Sequence, residues 1–117
     1  MVDEIENEGK LKIILEKHEK WLNNEPDGER ANLKSANLES ANLYSANLKS
    51  ANLDFSCFPL WCGSFKMKVD ERLIWQLIAH ITRLDITGCN EETKTAIKAI
   101  WKYRNKFCKY RTDVEEI

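Results

Sequence analysis

The hydrophobic positions of this chain follow one period in the middle and another in the flanks. Between residues 31 and 60 leucine recurs every fifth residue, in five consecutive Ala-Asn-Leu triplets followed by a degenerate sixth unit that begins at Ser56. An α-helix would turn each successive leucine by a further ~140°, and a strand would put alternate leucines on opposite faces. A five-residue period therefore predicts a coil in which every fifth side chain points inward.

The flanking segments carry apolar residues at helical spacing. Residues 9–22 predict an amphipathic helix that ends at the Asn-Asn-Glu-Pro-Asp-Gly turn. Asp70 is a suitable N-cap for a second helix through about Leu84, and Asn90 for a third helix through about Tyr110. The last two helices predict an αα-hairpin. Residues 60–65 leave the five-residue register and are expected to close the last coil.

Charge is distributed unevenly along the chain although its net value is −1. Residues 1–30 hold nine acidic and five basic side chains, whereas residues 94–111 hold seven basic ones and no acid. The near-neutral total provides no overall field that would attract nucleic acid or a membrane. The basic segment could follow a phosphate backbone or meet an acidic protein, but it could also be a solvated helix face.

No arrangement of residues predicts catalysis or a bound cofactor. The spacing of Cys57, Cys62, Cys89 and Cys108 matches no standard zinc pattern, and the sequence has no glycine-rich phosphate loop. We therefore expect neither an enzyme nor a metal or cofactor site. The acidic N-terminus lacks the apolar core of a secretory signal, and no apolar stretch is long enough to span a membrane. These features predict a cytoplasmic protein with reduced cysteines and no membrane partner.

The Ala-Asn-Leu-x-x unit resembles the repeat of the pentapeptide-repeat family. That resemblance implies a short right-handed quadrilateral β-helix, with the first and third residue of each unit inside. The large inward residues would be Leu33, Leu38, Leu43, Leu48, Leu53 and Phe58, and the small ones Ala31, Ala36, Ala41, Ala46, Ala51 and Ser56. The expected fold is mainly a β-solenoid (29–65) in a single domain, capped by an N-terminal helical region (1–28) and a C-terminal helical hairpin (66–117), because solenoids need terminal caps.

The segments on either side of the repeats also resemble short pentapeptide-repeat proteins of low-GC Gram-positive bacteria and their phages. The resemblance implies a non-catalytic protein-binding module. A phage or mobile element could encode it as an inhibitor that occludes a host nucleic-acid or defence enzyme, for example as an anti-CRISPR protein. Binding of DNA gyrase by DNA mimicry is disfavoured, because the outward residues after each leucine sum to zero charge: Lys34, Glu39, Tyr44, Lys49 and Asp54.

Two sets of residues are candidates for partner binding. Tyr44 and Phe55 are apolar residues on an otherwise polar repeat surface, which favours contact with a protein. The second set is basic and supports the alternative, a nucleic-acid-binding module that uses the helix 94–111: Lys98, Lys102, Arg104, Lys106 and Lys109. A homodimer is also open, since the apolar stripes of the helices could bury an interface between two copies.

Overall fold

The computed structural model describes residues 8–117; residues 1–7, the acidic start of the predicted N-terminal cap, lie outside the described part. The chain divides into two compact units, Met1–Val69 and Asp70–Ile117. Helix α1 spans Glu8–Leu22, α2 spans Glu71–Thr82 and α3 spans Glu91–Ile100. Short 3-10 turns occupy Cys62–Ser64, Trp101–Tyr103 and Lys106–Lys109. Among the described helices, none has the length and apolar content needed to cross a membrane.

The pentapeptides of the repeats share the same two turn hydrogen bonds. In the first unit, Lys34 N–H donates to Asn32 Oδ1 at 3.1 Å, and Ala36 N–H donates to the Leu33 carbonyl at 3.1 Å. The asparagine bond recurs in the next four units, at 3.0–3.2 Å. Ser35 has φ 62° at the third position of its turn, as a type II turn requires. The same positive φ is found at Ser45, Ser50 and Phe55.

Four pentapeptides make one turn of the repeat coil, which we define as residues 31–68. Asn32 pairs in parallel with Asn52, 20 residues later, and Leu33 N–H donates to the Asn52 carbonyl at 2.8 Å. The repeat leucines fill the interior and are at most 7% exposed: Leu33, Leu38, Leu43, Leu48 and Leu53. Ala31, Ala36 and Ala41 are buried, whereas Phe58, Ala46, Ala51 and Ser56 are only half-buried.

The prediction of a β-solenoid is wrong. Residues 8–117 contain no β-strand and no sheet, and neighbouring turns of the coil are joined by three isolated bridges, Asn32 with Asn52, Asn37 with Cys57 and Asn47 with Lys68. The reason is that the turns already use backbone N–H groups. The N–H of the fourth residue of a unit donates to asparagine Oδ1, and the N–H of the first residue of the next unit donates to the leucine carbonyl. Too few backbone N–H groups remain on each side of the coil to form the continuous ladder of hydrogen bonds that β-strands need.

The coil continues beyond the recognisable repeats. The hydrogen bonds that join successive turns span 19 residues in the first part of the coil, as from Leu33 N–H to the Asn52 carbonyl. The equivalent bonds from Leu43 N–H to the Gly63 carbonyl at 2.7 Å and from Ser45 N–H to the Phe65 carbonyl at 3.2 Å span 20. One extra residue therefore enters the second turn between Cys57 and Gly63, and the Asn47–Lys68 bridge keeps the resulting offset of 21. Lys66, with φ 60°, is thus the equivalent of Ser45, with φ 59°.

Helix α1 packs on the first turn of the coil through a buried histidine. His18 is fully buried; its Nδ1 accepts from Ala31 N–H at 3.0 Å, and its Nε2 lies 2.7 Å from the Lys49 carbonyl. Because a carbonyl only accepts, Nε2 carries the proton and the imidazole is neutral. One side chain thus satisfies backbone groups at the beginning and near the end of the first turn, and it joins α1 to both.

The loop after α1 returns closely along the helix. Glu29 N–H donates to the Lys17 carbonyl at 2.9 Å, near the C-terminal end of α1. A Cβ atom at Gly28 would lie 2.5 Å from the backbone nitrogen of Trp21. Only glycine fits there, because the obstructing atoms belong to the helix backbone and cannot rotate away.

In the second unit, α2 packs on the turns that follow α3. The rings of Trp75 and Tyr103 stack with centroids 5.7 Å apart, and the Arg72 guanidinium lies over Phe107, which is 3% exposed. Asp70 occupies the N-cap position of α2, and Asn90 caps α3 by accepting from Thr93 N–H at 2.8 Å. Between the helices, Asp85 accepts from both the N–H and the hydroxyl of Thr87. The backbone bond is the larger cause of the lowered pKa of that carboxyl.

The prediction that the third helix runs to about Tyr110 is wrong, because α3 ends at Ile100. The segment beyond it is held in short turns by Arg83, which follows α2. Arg83 donates to the carbonyls of Arg104 at 2.8 Å and Glu115 at 2.7 Å, and to Asn105 Oδ1 at 3.1 Å. These long-range bonds favour a broken helix over the continuous one that the local sequence predicts. The capping role predicted for the C-terminal helices stays a prediction.

Replacing His18 tests its role as the joint between α1 and the coil. We expect His18→Phe to lower the free energy of unfolding by about 2 kcal/mol or more, because it leaves the Ala31 N–H and the Lys49 carbonyl without partners. His80→Phe, at an exposed position of α2, is the control and should shift it by less than about 0.5 kcal/mol. Urea midpoints of the two variants measure the difference, and equal midpoints would contradict the assignment.

A pair of glycine substitutions tests the close return of the loop. Gly28→Ala should destabilise the chain by about 2 kcal/mol, since its methyl group meets backbone atoms of α1. Gly88→Ala should be neutral, because no atom lies within 4 Å of the added Cβ. Thermal melts followed by circular dichroism report both changes. A Gly28→Ala variant that melts like the parent would show that the loop does not lie against α1.

Candidate functional site

An exposed apolar patch covers one side of the repeat coil. The four sides correspond to residues 31–35, 36–40, 41–45 and 46–50, and the second turn repeats them. Four large apolar side chains are exposed on the third side and at its junction with the second side, and we call them the third-side patch: Tyr44 (52%), Leu60 (94%), Trp61 (46%) and Phe65 (58%). Leu60 and Trp61 line a cavity with Glu39 and Ser40 of the second side. Exposed leucine is common singly, but a cluster containing three aromatic residues is typical of a contact surface.

The fold holds Trp61 in place through a glycine. The Gly63 carbonyl accepts from Leu43 N–H as the Asn52 carbonyl accepts from Leu33 N–H, so Gly63 occupies an asparagine position of the repeat, and it is buried. A Cβ atom at Gly63 would lie 2.2 Å from the Trp61 ring. The indole therefore occupies the space that a side chain at position 63 would need. The missing side chain lets Trp61 lie flat on the backbone, with one face packed and about half of its surface exposed.

The second turn of the coil places a cation beside Tyr44. The Ser45–Phe65 hydrogen bond puts residue 65 next to the turn that carries Tyr44. After it, the Lys66 ammonium lies over the Tyr44 ring, 5.8 Å from its centroid. Lys66 has the left-handed conformation that its equivalent Ser45 also has. The regular turn of the repeat thus aims a lysine at the third-side patch.

Phe55 lies at a different corner of the coil. It is 66% exposed and has φ 62°, and the Lys34 ammonium lies 5.8 Å from its ring centroid. Its turn is the equivalent of the one at Ser35, whereas Tyr44 belongs to the turn two units later. The structure does not bring Tyr44 and Phe55 together, although both are exposed aromatic residues of the repeats.

The predicted basic residues do not share one helix. Lys98 lies on α3, whereas the others lie in the turns after it. Arg104 has a structural role, since its Nε donates to the Ile117 carbonyl at 2.8 Å and its guanidinium lies 5.0 Å from the Trp101 ring centroid. The ammonium groups of Lys102 and Lys109 lie over Tyr103 and Tyr110. The prediction of a continuous basic helix over 94–111 is therefore wrong, although Lys98, Lys102, Lys106 and Lys109 are exposed.

Two further features of the described residues concern other kinds of site. A cleft of about 530 Å³ lies between α1 and the coil, with Glu16, Glu19 and Lys68 in its lining. Within residues 8–117 no three His, Cys, Asp or Glu side chains are grouped so that they could hold a metal ion, and the four cysteines are free thiols. Neither feature identifies a ligand.

Sequence reasoning missed Leu60, Trp61, Phe65 and Lys66 because it ended the repeats at residue 60. The signal that could have found them is the continuation of the coil past residue 60, which leads to the side that carries Tyr44. The hydrogen bonds place Phe65 at the Tyr44 position and Lys66 at the Ser45 position, one residue later than the 20-residue offset gives. The residues after the last Ala-Asn-Leu unit therefore belong to the same surface as the repeats.

The comparison with family models gives one match. Residues 29–59 match the model described as Pentapeptide repeats (8 copies), which confirms the predicted repeat class for that segment. No curated protein and no solved structure matches the chain. The similarity of the flanking segments to proteins of low-GC Gram-positive bacteria and their phages stays a prediction.

The backbone at position 55 allows an aromatic side chain to be removed without damage to the fold. Asparagine tolerates positive φ better than phenylalanine does. We therefore expect Phe55→Asn to leave the free energy of unfolding unchanged or to raise it by up to about 1 kcal/mol. Tyr44→Asn is a matched comparison at a position without positive φ. A loss of more than about 1 kcal/mol in Phe55→Asn, measured by urea unfolding, would show that the ring is needed for stability.

Proposed function

We propose that this chain is a non-catalytic protein-binding module whose contact surface is the third-side patch. The observation that carries the proposal is Leu60, which is 94% exposed beside three half-exposed aromatic residues. Aromatic side chains surrounded by a polar rim are the usual centre of a protein interface. The pentapeptide-repeat match supports the proposal, since such repeats often mediate protein interaction.

The patch is suited to binding because part of it is already ordered. Trp61 rests against Gly63, and the Phe65 carbonyl is bonded to the first turn of the coil. Side chains that are held in position before binding lose less conformational entropy when a partner covers them. Leu60 and Phe65 have the highest exposed fractions of the four and would supply most of the apolar contact, with Trp61 as the rigid anchor.

The target class is a narrower proposal. An inhibitor encoded by a phage or mobile element, which covers a host nucleic-acid or defence enzyme, is supported by the resemblance of the flanking segments and by the small size of the chain. Direct binding of nucleic acid would instead use the exposed lysines at positions 98, 102, 106 and 109, and its affinity would fall steeply with salt. Self-association through apolar helix faces is a third outcome, and the experiment below separates all three.

Site-specific crosslinking tests the proposed function. A photoreactive amino acid at Leu60 should crosslink to one protein in host lysate, whereas the same group at Lys34, on the opposite corner, should not. Tyr44→Ser should weaken binding of that protein by at least tenfold, as expected for a residue at the centre of an interface. A Lys98, Lys102 and Lys106 triple-Ala variant should bind normally, and moderate salt should have little effect.

Three results would contradict the proposal. Crosslinking from Lys34 that equals crosslinking from Leu60 would show that the patch is not the contact surface. Steep loss of binding with salt, together with loss in the triple-Ala variant, would favour the nucleic-acid alternative. A crosslinked product with the mass of two copies of this chain would identify a homodimer instead.

A further inference from the structure

Lysines are the charged residues of the third and fourth sides of the coil. Residues 41–50 and 61–69, which form these sides in both turns, contain Lys49, Lys66 and Lys68 and no acid. The nearest acid to the patch is Glu39 of the second side, which lines a cavity with Leu60 and Trp61. The first and second sides, residues 31–40 and 51–60, contain Lys34, Glu39 and Asp54, with a net charge of −1. The charges of the outward repeat residues sum to zero. When the second turn is included, however, the two halves of the coil carry charges of opposite sign.

The three lysines differ in how far other groups compensate their charge. Lys68 lines the cleft that Glu16 and Glu19 of α1 also line, although no ion pair forms there within residues 8–117. Lys66 and Lys49 are exposed and belong to no ion pair in the same range. Lys66 lies over Tyr44, within the third-side patch. Lys49 is four residues beyond Ser45, at most about 14 Å of extended backbone.

We propose that the partner of the third-side patch is an acidic protein segment. This inference rests on the proposed function and adds the chemistry of the partner. An apolar side chain of the partner would pack against Tyr44 and Phe65, which occupy equivalent positions in the two turns. Flanking carboxylates would accept hydrogen bonds from Lys66 and Lys49. A carboxylate that pairs with Lys66 need not displace the ammonium from the Tyr44 ring, since the ring occupies one side of the cation and leaves its other N–H groups available.

The register of the second turn supports this assignment. Ser45 N–H donates to the Phe65 carbonyl as Ser35 N–H donates to the Asp54 carbonyl, so Phe65 occupies the Tyr44 position of the second turn and Lys66 the Ser45 position. Lys66 and Ser45 share the left-handed conformation of this turn, with φ 60° and 59°. The repeat turn therefore holds the lysine at the edge of the patch, where its ammonium lies over the Tyr44 ring.

A protein partner fits this surface better than a nucleic acid. The cations are few, and they lie beside a patch whose most exposed member is aliphatic Leu60 rather than an aromatic platform for bases. Single-stranded nucleic acid binds along a basic groove with successive aromatic platforms. An acidic segment with one apolar anchor needs only the features that this corner provides.

Defined peptides test the inference on the full chain. The probe is a labelled 12-residue peptide of glutamates around a central Phe-Leu pair, with two matched peptides that carry Gln for Glu or Gly for Phe-Leu, and with labelled dT12 as the nucleic-acid probe. We expect the acidic Phe-Leu peptide to bind at least tenfold more tightly than either matched peptide and more tightly than dT12. Fluorescence anisotropy measures all four affinities.

Neutral substitutions then assign the cations. Lys66→Asn, which keeps a residue compatible with positive φ, combined with Lys49→Gln should weaken binding of the acidic peptide by at least fivefold. Lys34→Gln, on the opposite corner, should not change it. Equal loss with Lys34→Gln, equal binding of the Gln peptide, no binding of the acidic peptide, or tighter binding of dT12 would each overturn the inference.

The outcome for the proposed function is read separately. Binding of the partner that is crosslinked in lysate could depend on Tyr44 and Leu60 and yet be unchanged by Lys66→Asn and Lys49→Gln. In that case the patch is a protein-binding surface, and only the acidic character proposed for its partner is wrong. If Tyr44→Ser leaves that partner bound as well, both proposals fail.

Discussion

The structure of the first unit depends on the two hydrogen bonds that close each pentapeptide turn. Asparagine Oδ1 accepts the backbone N–H two residues later, and the leucine carbonyl accepts the N–H three residues later. These bonds turn the chain by a fixed amount every five residues, so each leucine returns to the interior. They also occupy backbone groups that a β-ladder would require, and the coil consequently has isolated bridges instead of strands.

A coil of two turns cannot bury both of its ends, and the first turn is covered by a helix that is joined through specific polar contacts. His18 accepts from the backbone where the repeats begin and donates to a carbonyl almost one full turn later. A buried hydrophobic contact would tolerate sliding of the helix, whereas two directional hydrogen bonds to backbone groups do not. The close passage at Gly28 adds a second constraint on the same connection.

The candidate site combines a departure from the repeat with the repeat turn itself. Gly63, at an asparagine position, makes room for the Trp61 ring, and the regular turn at Phe65 and Lys66 brings the Lys66 ammonium over Tyr44. The third-side patch and its lysines thus combine an ordered scaffold with local irregularities, an arrangement that places exposed apolar and cationic groups on a rigid support.

The sequence by itself determined the elements whose cause is local. Burial of the five leucines follows from the five-residue period, α1 from its apolar spacing, and the cap of α3 from Asn90, because each depends on residues only a few positions apart. Tertiary structure decided the features that arise from distant residues. Helix α3 ends at Ile100 while Arg83 bonds to residues 21 to 32 positions away, and Phe58 is only half-buried although it occupies a leucine position. Tyr44 and Phe65 share a surface only because successive turns of the coil stack. Their separation of 21 residues follows from the insertion between Cys57 and Gly63, and no local pattern of hydrophobic residues records it.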